Sequence, residues 1–561
     1  MKHVVKWIKQ RKAGKTYSQP WIGYNYRNQN GTPDFKRLIS LKDLAREQVE
    51  MIDTVLHGGG DLADLKNMEF TGALGIGGFW VAYCIADQLG IIDQISKLEE
   101  KYQYPVLCMI IDRVVQPLPH SKLSLWESLP DSALFRVVAP RGEKIQLHEM
   151  YQCLEALYDI QTDVQKSLYN NRDTVDSMYL YDITSSYFEG DSCPLAQFGY
   201  NRDGKKGKVQ IVIGLLTDSE GRPIAIEVFS GNTSDQTTVM NKIDTMRREF
   251  KINEMIFVGD RGMLTAARRN DLQEAEYEAV KYISALTRRE FFEFLDDQDH
   301  PLQLTLFDKK NLVEVSHEGV RYVLSFNPDK ELEDRQVRLR LIAKTQEKLE
   351  MIQRNVENGN WKEEKVIAKK LHAWINKWRM ARFFTVEYSK GRFSFSRNEE
   401  IIEKYEAIDG FYVITSDVVE EVLDTANLRF RYKSLIQVEQ AFRSTKTTEL
   451  FILPIRHWNP ERVKGHIFLC MLSYLIIWKA RKLFAGIISG EPAGEATKQT
   501  DCHSLRIIWE RLNQWMQIGK LKINGETKEQ LNPLTNEAKK ILELAGASLT
   551  KKRKEYLFPV G

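Results

Sequence analysis

From residue 178 the apolar positions fall into short runs divided by turn residues. "MYLYDITSSYF", "KVQIVIGLLTD" and "PIAIEVFSG" read as three consecutive strands separated by basic or Gly/Pro turns. "TTVMNKIDTMRREF" has helical spacing, "EMIFVGD" is a fourth apolar strand, "LTAARRNDLQEA" a helix and "YEAVKYISAL" a fifth strand. Strands joined by short turns pair antiparallel, and strands joined through helices pair parallel. The pattern therefore predicts an α/β region with a mixed five-stranded sheet flanked by helices.

Elsewhere the period changes. Residues 60–170 read as mostly helical, with "LHEMYQCLEALYDI" leading towards the strands. "GALGIGGFW" lacks full GxGxxG spacing and no strand clearly precedes it, so close helix packing is the better account than a nucleotide site. Near the start, "WIGYNYRNQNGTPDFKRLISL" looks like a hairpin turning at Asn30-Gly31. Residues 288–428 interrupt the central pattern. They hold strand-like "NLVEVSHEGVRYVLSF" and "RFFTVEYSKGRFSF" around two charged helical stretches, near 330–356 and 361–381, turning at Asn358-Gly359. Lys and Arg there are mostly balanced by Glu, as on a solvated face. After 430 helices dominate again, and "GEPAGEATKQTD" reads as a loop. "IFLCMLSYLIIW" is too short to span a bilayer and reads as a buried helix, so no membrane association is expected.

Composition adds limits. At 561 residues, 43% hydrophobic and 28% charged, the chain has a globular balance and room for several domains. Its net charge of +3 hides basic clusters: "MKHVVKWIKQRKAGK", "NRDGKKGK" and "KKRK". Six scattered cysteines, without CxxC or Cys/His zinc spacing, fit a reducing cytoplasm. The basic N-terminus lacks the apolar core of a signal peptide.

Three acids stand out. Asp182 interrupts the first apolar strand, where an unpaired carboxylate costs several kcal/mol or more. Asp260 ends the fourth strand in "FVGDRG", and Gly262 is expected to allow a sharp exit. Adjacent strand ends can place two carboxylates side by side; a divalent metal removes their repulsion, and oxygen ligands suit Mg²⁺ or Mn²⁺. Glu439 lies in "RYKSLIQVEQAFRSTKTTEL". Tyr432, Leu435, Glu439 and Lys446 stand at offsets 0, 3, 7 and 14, close to one face of a single continuous helix. A plain Glu439–Arg443 ion pair would be the structural alternative.

Together these words resemble the DDE transposases, specifically the bacterial and archaeal insertion-sequence group marked by Tyr-x2-Arg-x3-Glu-x6-Lys. Tyr432, Glu439 and Lys446 match; Leu435 replaces the arginine, and Arg431 or Arg443 could substitute for it. The resemblance spans about 175–480. It implies an RNase H-like fold in which the mixed five-stranded sheet is interrupted by an insertion before the Glu-bearing helix, with mostly helical N- and C-terminal regions. The implied organisation is a basic hairpin segment (1–55), a helical domain binding DNA ends (56–172), the first part of the catalytic core (173–287), the insertion (288–428), the second part of the core (429–485) and a helical C-terminal region (486–561).

The resemblance also implies function. Asp182, Asp260 and Glu439 would be catalytic and would hold two Mg²⁺ or Mn²⁺ ions, Asp182 bridging both. DNA-binding residues would be Tyr432, Arg443, Lys446, Arg261, Lys205 and Lys206. The partners would be double-stranded DNA, as inverted-repeat ends and target, and a second copy of the chain. The reaction would be cut-and-paste transposition in a prokaryotic cytoplasm, the protein being nucleoid-associated when DNA-bound. Two rivals share the fold: a metal-dependent nuclease without strand transfer, and an inactive DNA-binding relative. A phosphatase using Asp182 as nucleophile needs a second Asp two residues on, where Thr184 stands.

Overall fold

A computed structural model describes residues 3–12, 15–28, 30–44, 46–57, 68–172, 177–190, 192–200, 202, 204–205, 207–296, 312–376, 380–448, 452, 455–488, 501–523 and 526–557. The loop expected at "GEPAGEATKQTD" and Lys206 lie outside the described residues. The chain opens with β1 (His3–Lys12), β2 (Lys15–Arg27), β3 (Pro33–Ser40) and α1 (Arg46–His57). Strand β4 (Met68–Gly75) precedes a helical run that includes α2 (Gly77–Gln88), α3 (Glu100–Val115) and α4 (Glu149–Asp159). Then follow β5 (Met178–Tyr187), β6 (Gln210–Asp218), β7 (Pro223–Ser230), α5 (Asp235–Phe250), β8 (Met255–Gly259), α6 (Ala266–Asp271) and β9 (Val280–Ala285). The insertion contributes β10 (Leu312–His317), β11 (Val320–Phe326), α7 (Pro328–Glu357), α8 (Glu364–Ile375), β12 (Phe384–Ser389), β13 (Arg392–Arg397) and β14 (Phe411–Ser416). Last come α9 (Thr425–Lys433), α10 (Leu435–Arg443), α11 (Pro460–Ile488), α12 (Asp501–Trp515), β15 (Gln517–Ile523) and β16 (Glu526–Leu531).

The chain divides into two compact units, one of Met1–Asp176, Asp182–Thr233 and Gln437–Gly561, the other of Ser177–Tyr181 and Ser234–Ile436. In the second unit the first four residues of β5 run parallel to β8, from Met178↔Ile256 to Tyr181↔Gly259. β8 runs parallel to β9. The helical connections expected between these strands are therefore present as α5 and α6, as parallel pairing requires. The sheet does not stop at the fifth strand. β14 pairs antiparallel with β9, β11 with β14 and β10 with β11. Strand β9 would otherwise present a row of unpaired backbone groups, and the insertion covers that edge. The remaining insertion has its own core: Ile342, Leu349, Ile352 and Val356 of α7 and Ile367 and Leu371 of α8 pack with Phe384 and Phe393 of the β12–β13 hairpin. The two helices form the expected hairpin, and Gly359 supplies the positive φ of 72° at its turn.

In the first unit β6 and β7 form an antiparallel pair, and β6 is buried along its whole length, as its unbroken apolar run implies. α11 is the buried helix read from "IFLCMLSYLIIW": Ile467 to Ile477 are nearly all fully buried. No helix of the described residues is long and apolar enough to cross a membrane. Two close approaches fix the packing. A Cβ at Gly77 or Gly78 would meet the backbone of α12, and a Cβ at Gly465 of α11 would collide with the carbonyl of Leu154 on α4. Gly75, Gly77 and Gly78 of "GALGIGGFW" thus serve close packing on α12, as expected, but the expectation that no strand precedes this stretch is corrected: Gly72 and Gly75 lie in β4, and Gly72 has open space around it and a φ of 146°.

The first 45 residues form more than a hairpin: β1, β2 and β3 make a three-stranded antiparallel sheet. The expectation of a helical C-terminal region is corrected at residues 517–531. There β15 and β16 form an antiparallel pair, and β15 also pairs with β4. The strands were short, and their partner lies over 400 residues away in sequence. The local signal was Asn524-Gly525, the favoured hairpin dipeptide. Five cysteines, Cys84, Cys108, Cys153, Cys193 and Cys470, are free and buried.

Gly465→Ala should lower stability by about 1–3 kcal/mol, the usual cost of forcing a methyl into a packed interior. Urea unfolding of the full chain checks this; an unchanged midpoint would mean that α4 and α11 can separate without cost.

Candidate active site

Strand β5 is buried at every position except Asp182 and Tyr187, which are half-buried. Its carboxylate is therefore set among Tyr181, Ile183, Thr184, Ser185 and Ser186, all 9% exposed or less. Asp182 Oδ1 accepts a hydrogen bond from the next backbone amide, Ile183 N, at 2.7 Å. Asp260 repeats the device: it follows β8 directly, is exposed, and Oδ1 accepts from Arg261 N at 2.7 Å. The carbonyl of Asp260 then starts a turn by accepting from Met263 N and Leu264 N. The expected role of Gly262 is not needed here. Gly262 is not among the positive-φ residues, and a Cβ there would stand at an ordinary 3.6 Å from Asp260 Oδ2.

The segment carrying Glu439 is not one helix. α9 ends at Lys433, Ser434 caps it, α10 runs from Leu435 to Arg443, and Ser444–Thr448 form a π-helical turn. The hydroxyl of Ser434 donates to the carbonyl of Phe430 (3.1 Å), the local competition by which serine loosens a helix. The offsets of 0, 3, 7 and 14 therefore do not describe a single face: Tyr432 precedes the break, and Lys446 lies in the wider π turn. Glu439 is exposed, and among the described residues its carboxylate takes no hydrogen bond or ion pair; the i,i+4 pair with Arg443 does not form.

Lys446 makes the strongest link between this segment and β5. Its ammonium donates to Thr184 Oγ1 at 2.7 Å and to the carbonyl oxygen of Ser185. A half-buried cation is thus tied to the strand two and three residues beyond Asp182. Arg481 of α11 supports the π turn by donating to Ser444 Oγ at 3.1 Å. Ser185 Oγ in turn accepts from Arg202 N at 2.8 Å, which pins the basic loop after β5 onto the same strand. Thr184 and Ser185 were not singled out in the sequence. The available signal was a polar Thr-Ser-Ser run inside an apolar strand, since buried hydroxyls require partners.

Of the other candidates, Arg261 and Arg443 are exposed and Tyr432 is half-buried. Lys205 is exposed, its ammonium 5.9 Å from the Tyr187 ring. Among the described residues no group of three or more His, Cys, Asp or Glu is arranged to hold a metal ion.

A family model described as a transposase DDE domain matches residues 176–476, more than half of the chain and all of the candidate residues above. The chain belongs to this family. Its activity is DNA transposition, by endonucleolytic cleavage and strand transfer, and the chemistry of DDE transposases depends on divalent metal. No curated protein matches the chain. Among solved structures it is similar to one titled "Cryo-EM structure of piggyBac transposase synaptic complex with hairpin DNA (SNHP)", at 10% identity and a TM-score of 0.37, covering 77% of this chain and 80% of that one.

Lys446→Met keeps the aliphatic stem and removes the donors. It should destabilise the transposase by about 1–3 kcal/mol, because the Ser185 carbonyl loses a charged partner. Unfolding by urea reads this directly. Unchanged stability with weakened DNA binding would instead make Lys446 a phosphate contact alone.

Proposed function

We propose that Asp182, Asp260 and Glu439 are the acidic residues of this transposase's chemistry and that they hold two Mg²⁺ or Mn²⁺ ions. The observation that carries the reading is the register of β5 on β8. The parallel ladder ends on Tyr181↔Gly259, and Asp182 and Asp260 are the next residue on each strand. With β6 antiparallel to β7, and β5, β8 and β9 parallel, this supports an RNase H-like core of five strands that the insertion extends.

The donor set fits a hard divalent cation in kind: three carboxylates, of which Glu439 and the second oxygen of Asp260 have no partner among the described residues. Bare carboxylates repel one another, so a gathering of the three would be coupled to binding of the cation. Asp182, Asp260 and Glu439 would hold the ions, whose chemistry there would be activation of the attacking oxygen and stabilisation of the leaving one. The chain's own residues supply position. The Asp182 and Asp260 carboxylates are each oriented by the following amide, and Lys446 fixes the backbone after Asp182 through Thr184 and Ser185. Exposed Arg261, Arg443 and Lys205 suit phosphate contacts, which set register without reading sequence; Tyr432 and Lys206 complete the set by resemblance. The substrate is double-stranded DNA at the element's inverted-repeat ends and at the target, handled cut-and-paste by a homodimer, because two ends must be joined. The setting is a prokaryotic cytoplasm.

Asp260→Asn is expected to abolish Mg²⁺- or Mn²⁺-dependent cleavage of an end-bearing duplex while leaving its binding measurable. Supplying a pre-cut end and scoring its joining to plasmid separates strand transfer from hydrolysis. Undiminished cleavage by the variant, or by the parent in excess chelator, would falsify the assignment.

A further inference from the structure

The near-neutral chain is electrically divided. Its first 45 residues hold ten Lys and Arg against two acids, a net of +8, while the remaining 516 hold 70 against 75, a net of −5. The basic excess is thus concentrated on the β1–β3 sheet and its flanks. One face of that sheet is covered: Val5 and Ile22, paired across β1 and β2, pack with Val49, Ile52 and Leu56 of α1.

The opposite face follows from strand alternation. Lys6 pairs with Trp21, Gly23 with Arg37 and Asn25 with Phe35, so these six side-chain positions share the side turned away from α1. Contacts agree with that register. The Lys6 ammonium donates to Asn25 Oδ1 at 2.7 Å and stands 5.0 Å from the Phe35 ring centre; the Arg37 guanidinium stands 5.8 Å from the Trp21 ring. Gly23 makes the platform flat, because a Cβ there would collide with the Phe35 ring and the Lys36 carbonyl. Lys6, Asn25 and Arg37 are exposed.

This face is a ladder of cations and a side-chain amide laid on aromatic rings. Antiparallel strands fit the major groove of B-DNA, about 12 Å wide. There an Arg fork matches the guanine edge, Lys contacts guanine or phosphate, and Asn matches adenine. We propose that the open face of β1–β3, through Lys6, Asn25 and Arg37, reads the sequence of the element's ends in the major groove of double-stranded DNA. The proposal rests on the transposase reading above, but its residues are separate from the acids. It places end recognition on the sheet and not on the helical stretch 56–172.

The test uses the full chain with the Lys6→Ala/Arg37→Ala double substitution and a duplex of its own terminal inverted repeat. Binding is measured by fluorescence anisotropy against a scrambled duplex and an RNA duplex of the same sequence. Affinity for the end duplex should fall about 10- to 100-fold, the size of one or two lost base contacts, and the preference over scrambled DNA should fall towards one. Thermal unfolding should move little, because both side chains are exposed and contacts of exposed cations with rings contribute little each. Unchanged preference for the end duplex overturns the proposal. So does an equal loss on end and scrambled DNA, which marks phosphate contact only, or tighter binding to RNA by the parent. Asp260→Asn reports on the chemistry independently: its cleavage result leaves the binding comparison untouched.

Discussion

The proposed site depends on placing a carboxylate in a strand that is otherwise buried. β5 buries Leu180, Tyr181, Ile183, Ser185 and Ser186, yet carries Asp182 between them. A half-buried ionised group in such surroundings loses part of its hydration and must recover it from partners. One recovery is local, the Ile183 amide donating to Oδ1. Another is placement, since Asp182 stands where the β8 ladder ends. The strand therefore cannot be bent or shifted by one residue without turning the carboxylate to the other face. Lys446 matters for this reason: a cation bonded to Thr184 and Ser185 holds the register from the far side of the acid.

That arrangement explains why an aspartate appears at Asp182 and again at Asp260 in the same local form. In each case the side chain bends back to its following amide, a conformation short carboxylates adopt readily. Glu439 is different. It is carried on a helix, has a longer arm and is bound by nothing among the described residues. Two short acids are set by their strands, and the third is free to adjust to what it meets.

The strands and the order of elements in the centre of the chain were legible because each run has one period and clear turn residues. Asp182 and Asp260 drew attention by their places in apolar strands, and Glu439 and Lys446 by a spacing that presumed one helix; the roles of the acids stand as the proposal above. What failed was continuity. A hydroxyl at Ser434 and a π turn at 444–448 break the helix that the spacing assumed, and neither disturbs the apolar periodicity of Leu435, Val438 and Phe442. Pairings between distant segments were also illegible. β14 against β9 and β4 against β15 depend on an edge being available, and a single strand's sequence does not record which edge it will meet. The polar run at Thr184 and Ser185 signalled that buried hydroxyls need partners, but not that Lys446 supplies one.

Whole-chain charge was the least informative quantity, and the structure makes clear why. A net of +3 averages +8 over the first 45 residues with −5 over the remainder. Nucleic-acid affinity comes from phosphates neutralised locally, and at physiological salt charges beyond about 8 Å are largely screened. The acidic remainder therefore does not cancel the basic sheet. It acts instead near its own surface, where it disfavours DNA except where local arginines and lysines offset it. On the two proposals made above, such a transposase would separate two demands on one polyanion: capture by a basic face that needs no metal, and chemistry at acids that do.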